Sequence, residues 1–220
     1  MINIKKLKDE QLKLAKKIIL TDSFEKIETI AGVDYIYTET DIICSIVMIE
    51  RKTLKVIEKK YSIEKQNIPY IPGFLSYRIA TITLNTFEKL KNKPDLAVIS
   101  ANGIMHPRKI GAASNIGLFL DIPTIGVSKK KLCGEEKDDT IYMDKDVVGK
   151  KVVSKELAKP VYVSQGHKIG MKTMMEMIKE MLKGHKLPEP LYLAHKYGNK
   201  VKSRIKEKNG DDNEQDEETT

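Results

Sequence analysis

The stretch IETIAGVDYIYTETDIICSIVMIERKTLKVIEKKY, residues 27–61, decides the fold of this 220-residue chain. It contains three runs rich in β-branched residues, at 27–37, 42–50 and 53–61, and such runs are typical of strands. The polar pair Arg51-Lys52 is a link short enough to join the last two runs as an antiparallel hairpin. The sequence therefore predicts a three-stranded antiparallel meander.

Helices and single strands surround this meander. Apolar residues at helical spacing predict helices, and short apolar runs bounded by proline or polar residues predict buried strands. The helices are expected at 5–20, 75–91, 110–119 and 171–183, and the further strands at 96–99, 123–127 and near 161–164, with a polar excursion at 134–150. This order indicates an α/β fold, a mixed sheet in which parallel strands join the meander and helices cover both faces.

Charge is distributed unevenly along the chain. The formal net charge is +8, from 39 lysines and arginines against 31 acids. Six of the acids lie within the last twelve residues, so the other 25 leave +14 over residues 1–208. A basic body of this kind suits a polyanionic partner, most often nucleic acid. We expect one domain at 1–195 and a basic, then acidic tail at 196–220, whose composition predicts disorder.

Missing signatures disfavour several classes of protein. The chain has no apolar run of the roughly 18 residues that a membrane span needs, and its first residues lack the apolar segment of a signal peptide. Glycine-rich phosphate loops are absent, so no nucleotide cofactor is expected. The serine-hydrolase elbow and the HExxH zinc motif are also absent, which disfavours those two classes of hydrolase. Cys44 and Cys133 have neither zinc-site spacing nor partners for a disulfide framework. We expect a cytoplasmic monomer.

Four short stretches have the composition of functional loops. They are AGVD (31–34), PYIPGFL (69–75), NGIMHPR (102–108) and SQGHK (164–168). Ligands in open α/β sheets bind beyond the carboxyl ends of the central strands. Because Asp34 ends the first predicted strand and Ser100 ends the fourth, the chemistry is expected beside these two residues.

The sequence resembles the endonuclease V family over residues 30–194. The resemblance is carried by PYIPGFLSYR (69–78), HPRKIGAASNIGLFLDIPTIGVSKKKLCG (106–134), GHKI (166–169) and PLYLA (190–194). Members of this family are metal-dependent nucleases that act beside inosine or deoxyinosine, and they share the ribonuclease H-like fold. The resemblance implies that fold, a DNA or RNA partner containing inosine, and Mg²⁺ or Mn²⁺ as the cofactor.

The metal site implied by the resemblance is incomplete. The family pattern has three metal-binding carboxylates, and Asp34 occupies the first position. Ile79 stands at the glutamate position, directly after Arg78, and Ser100 stands at the position of the second aspartate. Because Mg²⁺ depends on carboxylate ligands, we expect binding through Asp34 to be weak or vestigial.

Two further catalytic positions of the family are occupied. His167 corresponds to the histidine near the metals, and Lys129 corresponds to an active-site lysine that contacts a phosphate as a point charge. With Asp34 they form the implied catalytic set. The alternatives are a core histidine with structural partners and a solvated lysine face at 129–131.

The resemblance also implies a surface that recognises a base. Tyr70 corresponds to an aromatic wedge that enters the duplex, and Gly73 and Leu75 correspond to the wall of a pocket for the flipped base. Ala101 stands where the family has glycine, so its methyl group is expected to crowd that pocket. The implied nucleic-acid-binding residues are Tyr70, Ile71, Pro72, Gly73, Leu75, Ala101, His106 and Arg108. Local packing of Tyr70 and a core role for His106 are the alternatives.

Three hypotheses for function follow. The leading one is a protein that binds nucleic acid at inosine and cleaves it weakly or not at all. The second is an active nuclease with a rebuilt site, in which Asp34, His167 and a substrate phosphate hold the metal. The third is a non-catalytic scaffold that binds DNA or RNA without recognising a base.

Overall fold

The predicted meander forms one end of a nine-stranded sheet. The computed structural model describes residues 3–155 and 157–217, and in it β1 (Thr29–Tyr37), β2 (Asp41–Glu50) and β3 (Val56–Lys65) pair as antiparallel neighbours. β1 and β2 are buried along almost their whole length, which explains their continuous apolar runs. β3 is an edge strand and is mostly exposed.

Two parallel strands continue the sheet beyond β1. β4 (Leu96–Ile99) pairs with β1, and β5 (Thr124–Ser128) pairs with β4. Parallel neighbours need crossover connections, which here contain α2 (Leu75–Phe87) and α3 (Ala112–Leu120) on one face of the sheet. The predicted mixed sheet, with a meander and parallel strands, is confirmed.

The polar excursion predicted at 134–150 is part of the sheet. It contains β6 (Glu135–Lys137), β7 (Thr140–Met143) and most of β8 (Asp146–Val152), which extend the sheet from β9 (Val161–His167) by antiparallel pairing. The strand order is β3-β2-β1-β4-β5-β9-β8-β7-β6. These strands lack a clear sequence pattern because peripheral strands bury few side chains, and β6 is exposed throughout.

Two helices cover the second face of the sheet. α4 (Met171–Glu180) and α5 (Glu189–Glu217) contribute to an apolar core with the strands, whereas α1 (Ile4–Ala15) is largely exposed. Helices therefore cover both faces, as predicted. None of the helices in the described ranges has the length and apolar character that crossing a bilayer requires.

α5 continues through the boundary that the sequence predicts at 195. Val201 is buried against Ile36 and Ile43, so the first turns after residue 195 belong to the packed domain. Tyr197, Val201 and Ile205 recur at i, i+4 and i+8, a helical spacing that the lysine-rich composition of the segment obscures. The backbone of α5 is helical to Glu217, and residues 218–220 of the predicted tail lie outside the described residues.

Candidate functional site

The carboxyl ends of the parallel strands meet at one edge of the sheet. Val33 of β1 is level with Ile99 of β4, so Asp34 lies beside Ser100, whose N–H donates to the Val33 carbonyl at 2.9 Å. Asp34 does not end β1 as predicted, because β1 continues to Tyr37 through its pairing with β2. Lys129 follows β5 at the same edge and is exposed. The structure therefore brings these three predicted residues to the edge where ligands bind in such sheets.

Asp34 is a buried carboxylate with a histidine as its partner. The residue is only 3% exposed. His195 of α5 donates from Nδ1 to Asp34 Oδ2 at 2.7 Å, and the imidazole is partly exposed. Burying a charge is costly unless it is paired and hydrogen-bonded, so the histidine stabilises the carboxylate in this position. Its Nε2 is the ring nitrogen that remains to contact a ligand.

Close packing of α5 on β1 makes this contact geometrically feasible. A Cβ at Gly32 would lie 2.1 Å from the carbonyl oxygen of Pro190, in the first turn of α5. On β2, the hydroxyl of Ser45 donates to the Ala194 carbonyl at 2.9 Å, one residue before the histidine. The backbone of α5 is therefore fixed against β1 and β2 in the turns that lead to His195.

The two positions where the family pattern has further carboxylates supply no anionic oxygen. Ile79 of α2 is 0% exposed and belongs to the apolar cluster that contains Val33 and Tyr35. Those two side chains lie on the opposite face of β1 from Asp34, because successive side chains of a strand alternate between faces. Ser100 is partly buried and offers one neutral hydroxyl.

Tyr70 projects from the turn between β3 and α2. The residue is 59% exposed, and proline flanks the Tyr70-Ile71 pair on both sides. Gly73 follows with φ = +79°, a conformation that glycine adopts without steric cost. The turn thus presents an exposed aromatic ring on a constrained backbone.

His106 and Arg108 hold this turn. His106 Nε2 donates to the Gly73 carbonyl at 2.9 Å, and Arg108 Nη2 donates to the same oxygen at 2.8 Å. Burial lowers the pKa of His106 to about 4, so the ring is neutral at pH 7, and its Nδ1 accepts from the Arg108 N–H at 3.2 Å. The Arg108 guanidinium also lies over the Phe74 ring, 4.6 Å from its centroid. Both residues were expected to contact nucleic acid directly, whereas their side chains here contact the turn and, from Arg108, Gln11 of α1.

A small cavity lies between this turn and the loop after β4. Its volume is about 50 Å³, and its walls include Tyr70, Gly73, Leu75 and Asn102. Pockets for drug-sized ligands measure roughly 300–1,000 Å³, so a purine base requires the walls to move apart. Ala101 is buried in the apolar cluster beneath β1, so its methyl group belongs to the core and does not explain the narrowness of the cavity.

His167 lies far from Asp34. It ends β9 and pairs with Thr124, the first residue of β5, so it is three strands from β1, or roughly 14 Å across the sheet. Its Nδ1 accepts from the Ile19 N–H at 3.2 Å, and its Nε2 is 3.9 Å from Asp121 Oδ1. Burial lowers the pKa of this histidine. The structure gives His167 structural partners and does not bring it to Asp34, where His195 stands instead.

Comparison with known proteins identifies the family. A family model described as Endonuclease V matches residues 12–196. The chain belongs to the endonuclease V family. A curated relative, endonuclease V of Dictyoglomus thermophilum, is 43% identical over 199 residues, which cover 87% of each chain.

Solved structures of endonuclease V share the architecture. The crystal structure of Bacillus subtilis endonuclease V has a TM-score of 0.85 at 26% identity, with 94% of this chain and 95% of that chain covered. Endonuclease V of Ciona intestinalis, solved in complex with a 24mer DNA containing an inosine, has a TM-score of 0.82 at 26% identity, with 92% and 98% covered. The expected ribonuclease H-like fold is confirmed.

The residues of this endonuclease V chain do not fit the metal that the family implies. Mg²⁺ takes oxygen ligands in a near-ideal octahedron, but of the three family positions only Asp34 is a carboxylate, and its Oδ2 already accepts from His195. Among the side chains that the structure describes (3–155, 157–205 and 207), no three histidine, cysteine, aspartate or glutamate side chains lie close enough together to hold a metal ion. The ligand set for the family's metal chemistry is therefore incomplete in three dimensions as well as in sequence.

Two residues beside this site, His195 and Gln11, are not predicted from the sequence. His195 directly follows the PLYLA stretch (190–194), so the family resemblance ends one residue short of the histidine that meets Asp34. Gln11 lines the cavity from α1 and is hydrogen-bonded to Gly73, 62 positions away. A single glutamine among lysines carries no sequence signal for such a contact.

Proposed function

We propose that this endonuclease V family protein binds nucleic acid at inosine and cleaves the phosphodiester backbone weakly or not at all. The observation that carries the proposal is the ligand set at the sheet edge. Of three carboxylate positions only Asp34 retains an acid, and Ile79 is buried in the apolar core. Metal-assisted hydrolysis needs a cation that activates water and stabilises the leaving oxygen, and one paired carboxylate is a poor anchor for it.

The features that support binding are independent of the metal. Tyr70 is exposed on a constrained turn beside a cavity, the geometry of a wedge that replaces lost stacking next to a flipped base. Lys129, Lys130 and Lys131 are exposed at the carboxyl edge of the sheet, and residues 1–208 carry +14. The Ciona relative was solved with DNA that contains an inosine. These observations support inosine in DNA or RNA as the recognised feature.

Binding and cleavage are tested together on matched strands. DNA and RNA strands carrying one inosine, and controls with guanosine in its place, are incubated with the protein in Mg²⁺, in Mn²⁺ and in EDTA. We expect tighter binding of the inosine strands in all three conditions and little cleavage in any. If the protein cleaves a strand in the presence of metal and Asp34→Ala abolishes that cleavage, the proposal of weak or absent catalysis is rejected.

A second candidate is an active nuclease with a rebuilt metal site, and one observation favours it. His195 adds a ring nitrogen next to Asp34, so these two residues and a substrate phosphate form a partial ligand set. This candidate predicts cleavage that requires both Asp34 and His195, whereas the version built on His167 has no support from the geometry. Equal affinity for inosine and guanosine strands, unchanged by Tyr70→Ala, indicates the non-catalytic scaffold instead.

A further inference from the structure

We propose that Gln11 of α1 is a positioning residue for the candidate base pocket, and this inference rests on the proposed function of that pocket. Gln11 Nε2 donates to the Gly73 carbonyl at 3.1 Å, and Gln11 Oε1 accepts from Arg108 Nε at 2.5 Å. One amide therefore bridges the turn at residues 69–75, called the wedge turn below, and Arg108, which also donates to that turn.

The Gly73 carbonyl is the point on which these contacts converge. It accepts from Gln11, His106 and Arg108, three donors on one oxygen with two lone pairs. A Cβ at Gly73 would lie 3.0 Å from Arg108 Nη2, so the donors approach the backbone closely. Charge-assisted bonds such as the one from arginine are stronger than neutral ones. The orientation of this peptide is therefore set from outside the turn.

The burial of Gln11 is out of keeping with the rest of its helix. Within α1 it is the one buried residue, at 1% exposure, whereas the neighbouring Leu12 is 50% exposed. A helix that served only to cover apolar surface would be expected to bury Leu12 and to leave the side-chain amide of Gln11 in water. Burying an amide is tolerated because both its oxygen and its nitrogen are hydrogen-bonded. The side chain that α1 delivers to the domain is thus a polar one, aimed at the turn.

The position of Gly73 affects both parts of the recognition surface. Tyr70 lies three residues before it and Leu75 two residues after it, and both line the same cavity. Within the turn, the Phe74 N–H donates to the Ile71 carbonyl at 3.0 Å. Rotation of the Gly73 peptide would therefore shift the wedge and the pocket wall together. Gln11 acts on base selectivity through this peptide, from a helix that lies largely before the matched residues 12–196.

The test compares Gln11→Met, which keeps side-chain length without the amide, with Leu12→Ala as a control on the same helix. Affinities are measured for an inosine strand and a matched guanosine strand, together with hydrogen exchange of residues 69–75 in the free protein. Gln11→Met is expected to lower the preference for inosine on the order of tenfold, from the loss of two hydrogen bonds, with the same affinity for guanosine strands. Exchange of the Phe74 amide is expected to rise. Leu12→Ala is expected to change neither.

The outcomes separate this inference from the proposed function. If the wild type prefers inosine and Gln11→Met keeps both that preference and slow exchange at Phe74, Gln11 does not position the turn. If the wild type shows no preference, the proposed function fails, and faster exchange in Gln11→Met still supports the positioning role. Gln11→Glu is the second variant should Gln11→Met unfold. It keeps the acceptor for Arg108 but places an anionic oxygen against the Gly73 carbonyl, so faster exchange is expected there too, and unchanged exchange would overturn the inference.

Discussion

The wedge turn and the metal position lie at the same edge of the sheet, yet they have kept different amounts of the family's pattern. The turn is held by donors from two separate segments, and its glycine, histidine and arginine are all present. The metal position keeps Asp34 and gains a hydrogen-bonded His195, but Ile79 and Ser100 provide no charge. A hydrogen-bond network can therefore be retained while a metal ligand set beside it is incomplete, even within one edge of the sheet.

The difference has a physical basis. A clustered set of carboxylates repels itself and is costly to bury unless a cation neutralises it. Ile79 removes that cost and adds apolar contact within the core cluster beneath β1. The turn carries no comparable penalty, since its polar groups satisfy one another. Four predictions test this contrast, beginning with the one that would reverse it.

Restoring both acids, with Ile79→Glu and Ser100→Asp, is expected to produce the largest change. Without metal, the new charge at the buried position 79 should lower the free energy of unfolding by about 3–5 kcal/mol. Asp34 and position 100 are level on neighbouring strands, whereas a glutamate at 79 must reach them around the end of the apolar cluster. Where it does, saturating Mn²⁺ at about a hundred times its Kd should return about 2.7 kcal/mol. Urea unfolding with and without Mn²⁺ measures both effects, and calorimetric titration measures metal uptake.

The matched control for that experiment is Ile79→Gln with Ser100→Asn, which has similar shape without the charges. It should not respond to Mn²⁺. A folded acidic double variant that takes up no more Mn²⁺ than the wild type would show that positions 79 and 100 no longer face a common site with Asp34.

Acid should weaken the wedge turn through His106. Burial lowers the pKa of His106 from 6.5 to about 4, so the unfolded chain binds the proton more readily than the folded one. The stabilisation is fully present above pH 6.5 and is lost as the pH falls from 6.5 to 4, by up to about 3 kcal/mol. Urea unfolding across this range, compared with His106→Gln, isolates the contribution. Identical pH profiles for the two proteins would contradict it.

Removing the wedge should affect binding but not folding. Tyr70→Ala is expected to weaken binding of an inosine strand by about 1–3 kcal/mol, the usual value of one aromatic stacking contact. Because the side chain is exposed, the free energy of unfolding should change by less than about 0.5 kcal/mol. Tyr70→Phe keeps the ring and should retain the affinity. Fluorescence anisotropy with a labelled strand provides the measurement, and equal losses in both variants would argue against stacking.

The smallest expected effect is that of Lys129→Ala. Removal of one phosphate contact should lower the slope of log affinity against log salt by about 1 and weaken inosine and guanosine strands equally. Lys172 on α4 is an exposed control away from the carboxyl edge. A salt titration of binding compares the slopes of the two alanine variants, and only the Lys129 variant should have the lower slope. A change at Lys129 confined to inosine strands would place this lysine in the base-recognition surface instead.

Sequence patterns predicted those parts of the molecule that depend on local spacing. The meander and the placement of Asp34 beside Ser100 follow from apolar runs and strand order, and the family motifs located Tyr70. The contact between Asp34 and His195 depends on how closely α5 packs on β1, which no local pattern encodes. The same limit applies to Gln11, whose partner is 62 residues away, and to the choice of His167 over His195 as the histidine beside Asp34.

The close approach of α5 to Gly32 limits which substitutions the folded chain can accept at this position. With the Pro190 carbonyl 2.1 Å from where a side chain would begin, a library randomised at position 32 should return glycine among folded clones, whatever activity is selected. The register of α5 on β1 is thereby retained by folding alone, and with it the juxtaposition of His195 and Asp34. The Asp34–His195 pair can persist in this way without selection for catalysis, and substitutions that add further metal ligands could then complete the site.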